Sequence, residues 1–265
     1  MPRFSSNISM MFLEYDLLDR FQAAQNAGFG AIEIQFPYDT SVADLLIAKE
    51  DAGVDITVLN IGVGDLISGG PGIAAVPGRE DHFKAAVEAA YDYAATLKPI
   101  TMNVLSGWPS MEDFTREQCL DVLASNLNYA AAAFDDTGAT VLTEAVNNKD
   151  RPGYLINHTA EALDVIDRAG HANLKIEYDL YHMQIMEGDL VNTLRETLDR
   201  IGNIQFADTP GRHEPGTGEI NYRNVFKYIH SRGFDGVIGM EHGNLAKGAD
   251  GEKKVIAAYV DADRF

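Results

Sequence analysis

Strand-like and helix-like stretches alternate along the whole chain, and this alternation constrains the fold more than any other feature. Apolar, β-branched runs such as Ala31-Ile32-Glu33-Ile34-Gln35-Phe36 and Asp55-Ile56-Thr57-Val58-Leu59-Asn60-Ile61 read as strands. Others lie at 3–9, 100–105, 140–146, 174–179, about 203–207 and 236–242. Helical stripes run between them: Leu17 to Gly28, Ser41 to Gly53, Arg79 to Leu97, Thr115 to about Gly138, Thr159 to Gly170, Asp189 to Gly202 and Val225 to Gly233. A final helix closes the chain. Ser41 with Asp44, and Thr115 with Gln118, have the spacing of helix caps, and Gly28, Gly53 and Gly170 stand where helices stop. About eight strand–helix pairs in roughly 250 residues is the arithmetic of a (β/α)8 barrel. A doubly wound sheet is the alternative, but no early strand leads into a Gly-rich dinucleotide fingerprint. No linker, low-complexity tract or charge block divides the 265 residues, so a single domain over 1–265 is expected.

Charge and cysteine usage narrow the function classes. The net charge is −19, which argues against binding nucleic acid or an anionic membrane surface through bulk charge. Cys119 is the only cysteine, so there is no internal disulfide framework, and a reducing cytoplasm is expected. It falls in an apolar helical pattern and reads as a small core residue. No signal segment follows Met1 and no apolar run reaches membrane-spanning length.

Four successive strands carry a polar group near their exit: Glu144, Asp179, Gln205 and Glu241. A barrel places its chemistry at those ends. Three carboxylates converging there would repel one another and be costly to desolvate, and a divalent cation at their centre relieves both. Carboxylate and amide oxygens are hard donors suited to Mg²⁺ or Mn²⁺, and the lack of His or Cys in the set disfavours a dedicated zinc site. The ordinary alternative is that each is a solvated strand end. His182, three residues past Asp179, and Arg212, in the loop after Gln205, suit a small oxygen-rich substrate: His as a donor, Arg as a fork for a carboxylate. Glu33 and Glu177 also lie in strands, but their facing is not fixed by the sequence. Gly62 to Gly78 is a long glycine-rich excursion of the kind that is often functional.

The stretch Asp208-Thr209-Pro210-Gly211-Arg212, followed by Glu214-Pro215-Gly216-Thr217-Gly218-Glu219-Ile220-Asn221-Tyr222, resembles the hydroxypyruvate isomerase family. That family belongs to the xylose isomerase-like TIM barrels, with 2-oxo-tetronate isomerases and ketose 3-epimerases as relatives. Arg3 to Phe12, Phe36-Pro37-Tyr38, Pro77-Gly78-Arg79-Glu80 and Tyr178 to Gln184 agree with it, so the resemblance covers almost the whole chain. It implies Glu144, Asp179, Gln205 and Glu241 as ligands of one divalent metal ion. It also implies Glu144 and Glu241 as the paired acid and base, with His182 and Arg212 binding substrate. Gln at 205 is the hydroxypyruvate isomerase form, where the 3-epimerases usually carry His. Two places depart from the family: Leu59-Asn60-Ile61-Gly62, where a His more often precedes the Asn and a Pro lies in the loop, and Ala145, where a Pro commonly follows the Glu. The activity implied is isomerisation of a small hydroxycarbonyl acid through an enediolate, with a homo-oligomer left open. A ketose 3-epimerase acting on a sugar, a metal-assisted hydrolase and a non-catalytic sugar-binding protein are the rivals.

Overall fold

The computed structural model describes residues 3–243, and these form a closed barrel of eight parallel strands in sequence order. The strands are β1 (Arg3–Asn7), β2 (Ala31–Ile34), β3 (Asp55–Asn60), β4 (Thr101–Val104), β5 (Thr140–Glu144), β6 (Leu174–Asp179), β7 (Ile201–Phe206) and β8 (Val237–Met240). β8 closes the ring on β1, with Val237 opposite Arg3 and Met240 opposite Ser6. The helices are α1 (Leu17–Asn26), α2 (Val42–Ala52), α3 (Glu80–Leu97), α4 (Arg116–Ala133), α5 (Thr159–Ala169), α6 (Leu180–Met186), α7 (Leu190–Thr197) and α8 (Tyr222–Ser231). The helix expected to close the chain lies outside the described residues. Among the described residues no helix is long and apolar enough to cross a membrane.

The expected caps form. Ser41 Oγ accepts from Asp44 N at 3.1 Å, and Thr115 and Gln118 make a reciprocal capping box ahead of α4. The core lies between the strands and the helix ring. Phe21, Leu45, Phe83, Leu123, Val165, Leu194 and Ile229 come from the helices, and they pack with Ile32, Ile56, Val141, Ile176 and Ile204 from the strands. Full burial of each such side chain contributes about 1.5–3 kcal/mol against leaving it exposed. Cys119 is buried in this layer, as its helical position predicts.

The helices differ from the sequence pattern at three places. The helix read from Asp189 to Gly202 stops at Thr197, a 3-10 turn covers Leu198–Arg200, and Gly202 lies inside β7. The glycine is there for space: a Cβ on it would stand 2.6 Å from Leu142 Cδ2. α6 starts directly after β6, because Asp179 caps it by accepting from Tyr181 N at 2.8 Å. Helix α5 takes His158 as its N-cap, so that Thr159, whose hydroxyl has the look of a cap in the sequence, is its first helical residue.

Two rim loops are tied by single carboxylates. In the 62–78 excursion, Asp65 Oδ1 accepts from Gly72 N and Arg79 Nη1, each at 3.0 Å, and Arg79 Nη1 also reaches Gly72 O at 3.0 Å. After β7, the Asp208 carboxylate gathers the backbone N–H groups of Thr209, Gly216, Gly218 and Ile220 at 2.7–3.1 Å. Gly218 lets the chain pass: a Cβ there would lie 2.5 Å from Asp208 Oδ1. That loop holds Arg212 in a left-handed conformation, φ 54°, which a non-glycine residue adopts only under constraint.

Candidate active site

The carboxyl ends of the strands open on a cavity of about 790 Å³. Its wall includes Glu144, His182, Gln205, Arg212 and Glu241 from the expected set, with Gln35, Asn103, Trp108, Arg151 and Tyr154 beside them. Asp179 ends β6 directly beneath, wholly buried. The structure therefore brings all six sequence-predicted side chains to one place.

The acids are crowded and dry. Glu144 accepts from Asn103 Nδ2 at 3.3 Å. Burial first, then the charges of Glu241 and Asp179, push its carboxyl well above the usual range. Glu241 accepts from Gln35 Nε2 at 2.7 Å. Burial raises Glu241 as well, but Arg212 and Gln35 pull it back, leaving it at about 6. Asp179 is raised by burial against the opposing pull of Arg212 and of backbone N–H donors. Arg212 Nη2 stands between two of these acids, 3.1 Å from Asp179 Oδ2 and 3.2 Å from Glu241 Oε1, with its guanidinium 5.2 Å from the Tyr181 ring centroid. His182 Nε2 lies 3.6 Å from Glu144 Oε1 and 3.5 Å from Asp179 Oδ2. Burial and the nearby charges of Arg212 and Arg151 hold its pKa well below the ordinary histidine value.

Glu144, Asp179 and His182 form a buried cluster whose donor atoms lie within 4.8 Å of one another, and it could hold a metal ion. Sequence reasoning set His182 apart from the ligand group; the structure puts it in contact with two of that group. Gln205 supplies a further sign. Its Nε2 donates to Glu33 Oε2 at 2.8 Å, while its buried Oε1 has no hydrogen-bond partner. An orphaned buried oxygen is costly, and a cation fits the need.

One layer below the mouth lies a polar network; the sequence placed Glu33 and Glu177 in strands without fixing their facing and did not single out Asn203. Glu33 accepts from Ser5 Oγ at 3.2 Å and from Asn203 Nδ2 at 3.4 Å, and Asn203 Nδ2 also reaches Glu177 Oε1 at 3.1 Å. Burial, with Glu241 adding to it, pushes Glu33 up to about 8. Burial raises Glu177 too, with Glu144, Glu33 and Glu241 adding to it. The alternation of strand side chains could have found this layer. Glu33, Glu177 and Asn203 stand two positions before Gln35, Asp179 and Gln205, and therefore on the same face.

Comparison with known proteins gives the lineage. The sequence model of the family described as xylose isomerase-like TIM barrel matches residues 21–259. Hydroxypyruvate isomerase from Escherichia coli is 43% identical over 242 residues, 91% of this chain and 93% of its own length. The 2-oxo-tetronate isomerase of Cupriavidus necator is 40% identical, with the same 91% and 93% coverage. A solved structure from Brucella melitensis, described as an AP endonuclease of family 2, matches with a TM-score of 0.91 at 37% identity, covering 95% of this chain and 96% of that one. A barrel with its polar groups at the carboxyl ends of the strands, matched by that family over nearly its whole length, is the product of common descent: the chain belongs to the xylose isomerase-like TIM barrel family.

Proposed function

We propose that this protein is a metal-assisted isomerase of a small α-hydroxycarbonyl acid, converting hydroxypyruvate to tartronate semialdehyde or acting likewise on a 2-oxo-tetronate. The observation that carries the reading is the convergence of the buried acids Glu144, Asp179 and Glu241 with the unpartnered Gln205 Oε1 on one cavity. The relatives named hydroxypyruvate isomerase and 2-oxo-tetronate isomerase support an isomerase.

Glu144, Asp179, Gln205 and Glu241 would hold one divalent ion, Mg²⁺ or Mn²⁺, as their oxygen donors favour. Such an ion supplies Lewis-acid polarisation of the substrate carbonyl. The protein's own groups move the protons. Glu241, steadied by Gln35 and Arg212, sits nearest the ionisation state of a working base and removes the carbon-bound proton. Glu144 is the partner that returns a proton to the neighbouring carbon of the enediolate, while the hydroxyl proton passes to the former carbonyl oxygen. The contacts of Arg212 with Asp179 and Glu241 use Nη2 and Nε, and Nη1 is the nitrogen offered to the substrate. That nitrogen can take the substrate carboxylate, with Arg151 as a second cation on the wall.

The endonuclease description of one relative favours a metal-assisted hydrolase. A DNA-cleaving site needs a cationic approach, whereas this chain carries a net charge of −19 and its metal-capable cluster has one histidine among the described residues. The deciding experiment incubates the protein with Mn²⁺ or Mg²⁺ in D₂O against hydroxypyruvate, 2-oxo-tetronates and free ketoses. Deuterium entering the acids next to the carbonyl is the expected result. Exchange confined to C3 of ketoses moves the protein to the epimerases, and no exchange with any of them rejects the isomerase reading.

A further inference from the structure

Asn147, in the loop after β5, is fully buried and its side chain is saturated with hydrogen bonds. Its Oδ1 accepts from Lys149 N at 3.0 Å and from Asp150 N at 2.8 Å. Those two backbone donors fix which end of the amide is oxygen. Its Nδ2 gives one hydrogen to Asp150 Oδ2 at 3.0 Å and the other to His182 Nδ1 at 2.7 Å. Asp150 Oδ2 is held in turn by the Tyr181 hydroxyl at 2.7 Å. The backbone N–H of Asn147 also points at His182 Nδ1, at 3.3 Å. An amide offers two donor hydrogens and an oxygen with two lone pairs, so nothing is left over and a flipped amide would lose every bond.

Two N–H groups converge on Nδ1, so that nitrogen presents a lone pair. An imidazole whose Nδ1 presents a lone pair carries its proton on Nε2. We infer that Asn147 is a positioning residue that locks His182 as the Nε2–H tautomer, making it a hydrogen-bond donor at the cavity wall and not a metal ligand. Nε2 is 3.5–3.6 Å from the Asp179 and Glu144 oxygens, too far for a made hydrogen bond, so its proton is uncommitted. A protonated ring nitrogen has no lone pair for a cation, and His182 can therefore stand among the acids without competing for one. The use of that proton, donated to a carbonyl or hydroxyl oxygen of the substrate, rests on the isomerase reading; the tautomer does not.

The test is a long-range ¹H–¹⁵N correlation spectrum of the histidine rings in the full-length protein near neutral pH. The His182 signals are assigned by their loss in His182→Gln. The expected pattern has His182 protonated on Nε2 with an unprotonated Nδ1, unchanged by added Mg²⁺. Asn147→Asp replaces the donor by an acceptor and should pull the proton to Nδ1. It should also lower kcat/KM for hydroxypyruvate by roughly 10–100-fold, the scale for losing an orienting partner. Should the extra carboxylate beside Asp150 prevent folding, Asn147→Ala removes the shorter of the two donors, leaves the backbone N–H, and should raise the share of the Nδ1–H tautomer. A wild-type ring protonated on Nδ1 or on both nitrogens overturns the inference, as does a tautomer that Mg²⁺ or Asn147→Asp leaves or places contrary to these expectations. A protein that turns over no hydroxycarbonyl acid yet shows the Nε2–H pattern refutes the isomerase reading and leaves the lock standing.

Discussion

Gly239→Ala should unsettle the site from beneath, although residue 239 is a small residue on β8 and bears no chemistry. A Cβ built there falls on the Glu33 carboxylate, 2.6 Å from its Cδ. Glu33 cannot step aside freely, since its oxygens are engaged by Ser5, Asn203 and Gln205 at 2.8–3.4 Å. Forcing an extra methyl into such a packed place costs about 1–3 kcal/mol. If Glu33 moves, Gln205 Nε2 loses its buried acceptor, which adds about 1–3 kcal/mol. A total of roughly 2–6 kcal/mol lowers Tm by about 4–24 °C in a chain of this size. Gln205 would also lose the partner that turns its Oε1 away from Glu33, so Mn²⁺ affinity should fall together with stability. The assay is a double-mutant cycle with Glu33→Ala, read by thermal melting and by Mn²⁺ titration. Removing the carboxylate makes room for the methyl, so Gly239→Ala should cost much less in the Glu33→Ala background than in the wild type. Equal costs in both backgrounds would refute the proposed collision, and unchanged Mn²⁺ affinity in the single variant would refute the link to Gln205.

Other outcomes follow from the same geometry. Glu144→Gln and Glu241→Gln should each lower kcat by roughly 10²–10⁴-fold while most metal is retained, and the double variant should be barely worse than either single one; steady-state kinetics with metal analysis checks this, and near-normal turnover in a metal-loaded single variant rejects the paired roles. Asp208→Ala strips four backbone donors of their acceptor and should expose the 209–221 loop to limited proteolysis, with a fall in kcat/KM as Arg212 loses its support; an uncut loop would show that it is held elsewhere. The Asp65–Arg79 tie has a definite pH sense. Arg79 lowers the Asp65 carboxyl below its ordinary 3.8, so the tie is fully present above that value and is lost as the pH falls through the lowered one. Being half exposed, it contributes about 1 kcal/mol or less, so Asp65→Asn should lower Tm slightly at neutral pH and less below pH 3; a larger penalty in acid would reverse the sign.

The barrel was legible because its signal is local. Strand and helix periods are written in consecutive residues, and Thr115 with Gln118 or Ser41 with Asp44 announce their helices within one turn. Glu144, Asp179, Gln205 and Glu241 stood out in the sequence because a polar group at a strand exit is out of place unless something uses it, and His182 and Arg212 stood out by following two of those exits. Glu33, Glu177 and Asn203 did not, because a single strand does not say which of its faces is the barrel interior. Only an anchored neighbour two positions away, such as Asp179 or Gln205, sets that parity. Gly202 misled as a helix stop because close packing against Leu142 and a chain reversal both select glycine. α6 was hidden because Asp179 ends a strand and caps a helix at once. Asn147 carries no local signal at all, since its decisive partner, His182, lies 35 positions on.

The buried network of Ser5, Glu33 and Asn203 has a practical meaning for anyone who would redesign this protein. The orientation of Gln205 is set from inside the barrel, whereas Ile67, Trp108 and Arg151 reach the cavity wall from loops. What the pocket admits and how the reactive groups are aimed are thus written in different parts of the chain. A mutant library restricted to those three loop positions can exchange one substrate for another at little risk to folding. The same number of random changes in the interior layer would mostly yield proteins that do nothing.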